Sequence, residues 1–177
     1  MFHVKLKVSC TATVISPTSL LSSSSCISSL SNNPQEWVVF AGPPHASPEL
    51  DMENMQIMIV RDIIHHPQVR HLQHHVSPDV ALVSLHEPFT LSPEGVGAAC
   101  LPSQEEPRHC RVVGWSHDQG GISFYQRVEE MSASQLVSTA RCNSTEGFSG
   151  HLPDHTLCVD NIGCQVSHAN RKELLFS

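Results

Sequence analysis

Apolar and polar residues alternate at the start of the chain. Phe2, Val4, Leu6 and Val8 are separated by His3, Lys5 and Lys7. A period of two puts each set on its own face of a pleated strand, so this stretch predicts a strand with one buried face. Trp37-Val38-Val39-Phe40 predicts a second strand, stopped by Gly42-Pro43-Pro44. Met55 to Ile64 is apolar and β-rich and predicts a third. Asp79 to Leu85 (DVALVSL) reads as a short apolar strand led by an acid. Further strands are expected at Arg111 to Trp115, within Gln126 to Val137, and at His155 to Val159. Leu91 to Gln104, with its prolines and glycines, suits a surface connection. Short strands separated by Gly, Pro and Ser turns indicate an all-β barrel or sandwich. The serine-rich stretch Ser19 to Ser31 has the composition of a linker, but its flanking cysteines make it a loop within a domain.

Composition narrows the function classes. A chain of 177 residues with 40% apolar content is long enough for one domain with a real core. Ten basic residues stand against seventeen acidic ones, and the basic ones are scattered. No basic patch suggests nucleic acid. No apolar run reaches the length of a membrane span. Lys5 and Lys7 precede a mildly apolar stretch, but Ser, Thr and Pro interrupt it too early for a signal peptide. Seven cysteines in a chain of this size point to disulfides or a metal site, and no C-x-x-C pair offers the usual structural zinc spacing.

Five landmarks occur in a fixed order. Cys10 and Cys26 lie sixteen positions apart. Asp79 opens D-V-A-L, Cys100 opens C-L-P, and Cys110 leads to Gly114-Trp115. Cys142 lies in R-C-N and Cys158 in L-C-V. In this order the chain resembles the trypsin-like (S1) serine protease domain from Met1 to about Gln165. The remaining residues, 166–177, form a divergent tail. The resemblance implies two antiparallel β-barrels with a cleft between them. The first barrel is expected to be mostly present and the second incomplete, because the family's activation site would precede Met1 and its last strands would come after Ser177. Marginal stability is the expected consequence.

The resemblance also assigns roles, and here the chain departs from its pattern. Asp79 matches the family's triad acid, which orients an imidazole and stabilises the imidazolium. The matching base position, immediately before Cys26, is Ser25, whose hydroxyl has nothing that titrates near neutral pH. Cys164-Gln165 begins like the family's nucleophile motif, but Val166 stands where a tight-turn glycine is needed and His168 at the nucleophile position. The expectation is a protease homologue that is not an enzyme, secreted like its family, without a cofactor and with an unknown protein partner. Alternatives are a serine endopeptidase in a fuller isoform, a metal-binding module built on His65, His66, His71, His74 and His75, and a non-functional splice product. The resemblance further implies Cys10–Cys26 and Cys142–Cys158 disulfides, leaving Cys100, Cys110 and Cys164 unpaired. Asn143-Ser144-Thr145 is an N-glycosylation sequon, which matters only in a secreted chain.

Overall fold

Pro17 and Thr18 turn the chain between two strands that carry the first half of the fold. In chain order the computed structural model has β1 (Phe2–His3), β2 (Val8–Ser9), β3 (Ala12–Ser16) and β4 (Ser19–Ser22). Helix α1 (Ser24–Leu30), a 3-10 turn (Pro34–Glu36), β5 (Trp37–Ala41) and β6 (Gln56–His65) come next. Then come β7 (Arg70–His71), β8 (Val76–Ser77), β9 (Ala81–Leu85) and β10 (Cys110–Ser116). The last are β11 (Arg127–Ser134), β12 (Leu136–Val137), α2 (Thr139–Asn143) and β13 (Cys158–Val159). The structure describes residues 1–6, 8–42, 55–71, 76–101, 110–116, 127–134, 136–144 and 158–159.

Seven strands form one antiparallel sheet in the order β2-β1-β5-β6-β9-β4-β3. Laid flat, such a sheet would be roughly 29 Å wide at the usual spacing between strands. Its two outermost strands, β2 and β3, are consecutive in the chain, with only Cys10 and Thr11 between them. Such a link reaches at most about 11 Å, so the sheet has to curl until its edges meet. Register shifts at Val14/Ser16 and Val60/Asp62 supply the local bending that a curled sheet needs. The sheet's interior holds Leu20, Trp37, Val39, Val60, Ala81, Val83 and Leu85, with Ile27 of α1 beneath them. Strand β9 shows the alternation plainly: Ala81, Val83 and Leu85 are buried and Leu82 faces out. The all-β fold with a curled antiparallel sheet is thus present. In the second half, β10 pairs with β11 and β12 with β13, all antiparallel.

Three expectations need correction. The alternating stretch Phe2 to Val8 is not one strand but a hairpin, with Phe2 opposite Ser9 and His3 opposite Val8. Val4, Leu6 and Val8 are exposed, and the buried residues are Met1, His3 and Cys10. Polar anchors favour the reversal. The Val4 N–H donates to the Glu36 carbonyl at 2.9 Å, and Lys5 Nζ meets Glu36 Oε1 at 2.5 Å. The serine-rich stretch is not a loop either. It forms β4 and then α1, because Ser23 caps the helix by accepting from the Cys26 N–H. The stretch Gln126 to Val137 holds two strands, β11 and β12, which pair with different partners.

The hairpin anchor carries a pH dependence. The Glu36 carboxyl is lowered from 4.5 to about 2, chiefly by the hydrogen bond from Lys5 and then by that from Ser31. A carboxyl held down in the folded state contributes stability that is complete above its unfolded value and lost as pH falls toward its folded value. Glu36→Gln should therefore be less stable than the parent at pH 6, and the gap should close between pH 4.5 and about 2. Urea unfolding of both proteins across that window checks this. A gap that stays constant would assign Glu36 no linked proton.

Candidate functional site

Helix α1 aims its first turn at Asp79. The first N–H groups of any helix have no partner inside it, so capping side chains must supply one. Ser23 is the N-cap, and its Oγ accepts from the Cys26 N–H at 3.2 Å. The Ser25 N–H instead donates to Asp79 Oδ1 at 2.6 Å. Ser25 Oγ donates to Asp79 Oδ2 at 2.7 Å, and Ser23 Oγ donates to the same oxygen at 3.1 Å. The two hydroxyl oxygens are 3.0 Å apart. Each hydroxyl has one proton, so when both protons go to the carboxylate this last contact is proximity and not a further bond.

Two covalent and topological constraints hold the arrangement. Cys10 and Cys26 form a disulfide that fastens α1 to the junction of β2 and β3. Closing a loop of that length typically stabilises by ~3 kcal/mol. Asp79 lies two residues before β9, whose pairing with β4 sets Ala81 opposite Ser22. The acid is therefore delivered beside the start of the helix by the sheet itself, although 54 positions separate it from Ser25.

The adjacent serine makes a second polar chain. Ser24 is fully buried, and its Oγ contacts His65 Nδ1. His65 Nε2 lies 2.9 Å from Asn32 Oδ1. An amide oxygen only accepts, so in the neutral ring Nε2 carries the proton and Nδ1 accepts from the Ser24 hydroxyl. His65 is thus held by Ser24 and Asn32, and Asp79 by Ser23 and Ser25. The run of serines, which composition alone marks as a loop, serves both. Neither the cap at Ser23 nor the Ser24–His65 contact, which joins residues 41 positions apart, was read from the sequence.

Chemically, the site pairs a carboxylate with hydroxyl and amide donors. A serine hydroxyl is so weakly acidic that a carboxylate alone does not take its proton at neutral pH. Among the described residues no imidazole contacts Asp79. His168 lies outside the described residues, as do His74 and His75. The His66 ring accepts from the Gln68 N–H at 3.2 Å, and no three His, Cys, Asp or Glu side chains converge among the described residues. Cys142 is disulfide-bonded, and Cys158 sits in β13, paired with Val137. Cys100 is an exposed free thiol. Asn143 ends α2, and its sequon runs into residue 145, outside the described residues. Among the described residues no helix is long and apolar enough to cross a membrane.

Ser23 carries two of these contacts, so Ser23→Ala should lower stability by about 0.5–2 kcal/mol, the usual range for a lost N-cap. Equilibrium urea unfolding measures it. A value indistinguishable from zero would mean that water replaces the cap freely.

A curled antiparallel sheet, a disulfide-anchored helix and an acid-led strand facing that helix define a trypsin-like β-barrel. The trypsin family model matches residues 1–170, and the chain belongs to that family of serine proteases. It is 30% identical over 155 residues to human transmembrane protease serine 5, covering 85% of this chain and 33% of that protein. It is 26% identical over 70 residues to a dog protein described as hepatocyte growth factor activator serine proteases, covering 37% of this chain and 11% of that protein. The chain thus spans about a third or less of the length of the curated relatives it matches.

Proposed function

We propose that this chain is a non-catalytic member of the trypsin family that works by binding a protein partner and not by peptide hydrolysis. The observation that carries this reading is the occupation of Asp79 by Ser25. In a serine protease the acid accepts from an imidazole, which removes the nucleophile's proton. Here the N–H of Ser25 donates to one carboxylate oxygen and its hydroxyl to the other, where the family has an imidazole. His168 at the position matching the nucleophile supports the same conclusion from the sequence.

An endopeptidase reading, as the names of both relatives suggest, needs a base that Ser25 does not supply. A fuller isoform could add residues beyond this chain, but Ser25 would remain between Cys10 and Cys26. We assign the protein to an oxidising, extracellular setting, where the Cys10–Cys26 bridge persists, and Asn143 to glycan attachment there. The peptidase-like domain in this reading runs over 1–165, with 166–177 as a separate tail.

A fluorophosphonate probe, which labels activated serines, tests the central claim on the full chain. No labelling and no cleavage of a panel of peptide amides are expected, and Ser25→His should not restore either. Stoichiometric labelling of any serine would falsify the non-catalytic reading.

A further inference from the structure

His3 is the most deeply buried imidazole among the described residues, with 2% of its surface exposed. Its Nδ1 accepts from the Leu6 N–H at 3.1 Å. An accepting nitrogen bears no proton, so the proton of the neutral ring is on Nε2. That nitrogen makes no hydrogen bond, although Glu36 Oε2 lies 3.3 Å away. The two atoms are close but poorly aligned.

We propose that the turn over Val4, Lys5 and Leu6 is a pH-operated latch, closed while His3 is neutral and released when the ring takes a second proton. A proton on Nδ1 turns the acceptor into a donor that faces the Leu6 N–H. Two donors cannot share that bond, so the contact that closes the turn is lost. The same proton gives the ring a positive charge beside the Glu36 carboxylate, which draws it away from Leu6. Glu36 already holds Lys5 through Oε1 and Ser31 through Oε2. Lys5 sits on the other oxygen, so the charged ring pairs with Glu36 without displacing it. The new ion pair keeps His3 on the 3-10 turn, while loss of the Leu6 bond frees the turn that follows it.

The surroundings of His3 contain little else that could reverse this. Among the described residues the charged groups near it are Glu36 from the 3-10 turn, Lys5 from the hairpin on the other Glu36 oxygen, and the Met1 ammonium two residues back, which donates to the Cys10 carbonyl at 2.8 Å. Trp37 of β5 meets the ring edge-on with centroids 5.0 Å apart, and Ser31 is uncharged. Histidine is the side chain whose charge ordinarily changes between about pH 5 and 8, which sets the range to scan. The released turn carries Val4 and Leu6, both already about half exposed.

Nuclear magnetic resonance on the intact, isotope-labelled chain tests this between pH 8 and 5. The amide protection factor of Leu6, corrected for intrinsic exchange, should fall at least tenfold. Its midpoint should coincide with the titration of the His3 ring carbon, while the protection of Val83 in β9 stays constant. His3→Asn supplies an amide oxygen where Nδ1 lies, an acceptor that does not titrate, and should keep Leu6 protected throughout. Steady Leu6 protection while His3 titrates would overturn the proposal. So would a His3 that does not titrate in this range, or a His3→Asn protein with the parent's pH dependence. If His3→Asn does not fold, the coincidence of the two midpoints in the parent decides.

Discussion

Trp37→Ala should lower the folding free energy by about 3–5 kcal/mol, the range for truncating a buried aromatic residue. The indole is fully buried at the start of β5 and stacks edge-on against His3. Its N–H donates to the Ser31 carbonyl at 2.8 Å, tying the end of α1 to the sheet. Alanine would leave a cavity beside β1 and an acceptor without its donor. Trp37→Phe separates these terms. It keeps most of the ring packing and loses the hydrogen bond, for a cost nearer ~1–2 kcal/mol. Urea unfolding of the three proteins should rank them parent, Phe, Ala. An Ala variant within about 1 kcal/mol of the parent would mean that the interior collapses around the gap, and that Trp37 does not organise the sheet.

How far the fold could be read from the sequence differs from element to element, and the reason is how local each decision is. The strands β5, β6 and β9 were legible because runs rich in apolar and β-branched residues decide them on the spot. The Cys10–Cys26 bridge was expected from the family resemblance, and the strand after Asp79 from its own apolar run. The first hairpin was not. An alternating run of seven residues says which faces a strand would have, but not whether the chain reverses. That reversal depends on Glu36, which lies 31 positions from Lys5. The serine run misleads for a related reason. Serine composition favours loops, yet a serine at an N-cap starts a helix, and the distinction rests on the residues that come after it. The site was half legible: Ser25 and Asp79 could be named, but not that Ser25 itself would donate to both carboxylate oxygens. Backbone N–H groups are invisible to a reading of side-chain chemistry, and one of them supplies the shortest contact to Asp79.

That contact gives Asp79 a structural role that can be measured separately from any chemistry. Asp79→Ala removes the acceptor for the Ser25 N–H, the Ser25 hydroxyl and the Ser23 hydroxyl together. Hydrogen bonds to a charged group contribute about 1.5–3 kcal/mol each, but the site is half-buried and both hydroxyls can turn toward water or a neighbour. The net loss should therefore be about 2–4 kcal/mol, dominated by the helix N–H, which cannot turn. Asp79→Asn keeps an oxygen for that N–H and presents its amide group to hydroxyls that can reverse and accept. It should lose about half as much. In a working triad the acid mainly orients an imidazole, and its replacement by asparagine is felt in turnover with the geometry intact. Here the whole effect should appear in urea unfolding, graded from Asp to Asn to Ala, and none in peptide hydrolysis. An alanine variant as stable as the parent would remove Asp79 as the anchor of α1. The carboxylate would then be free to serve an imidazole supplied from elsewhere, and the endopeptidase reading would regain its acid.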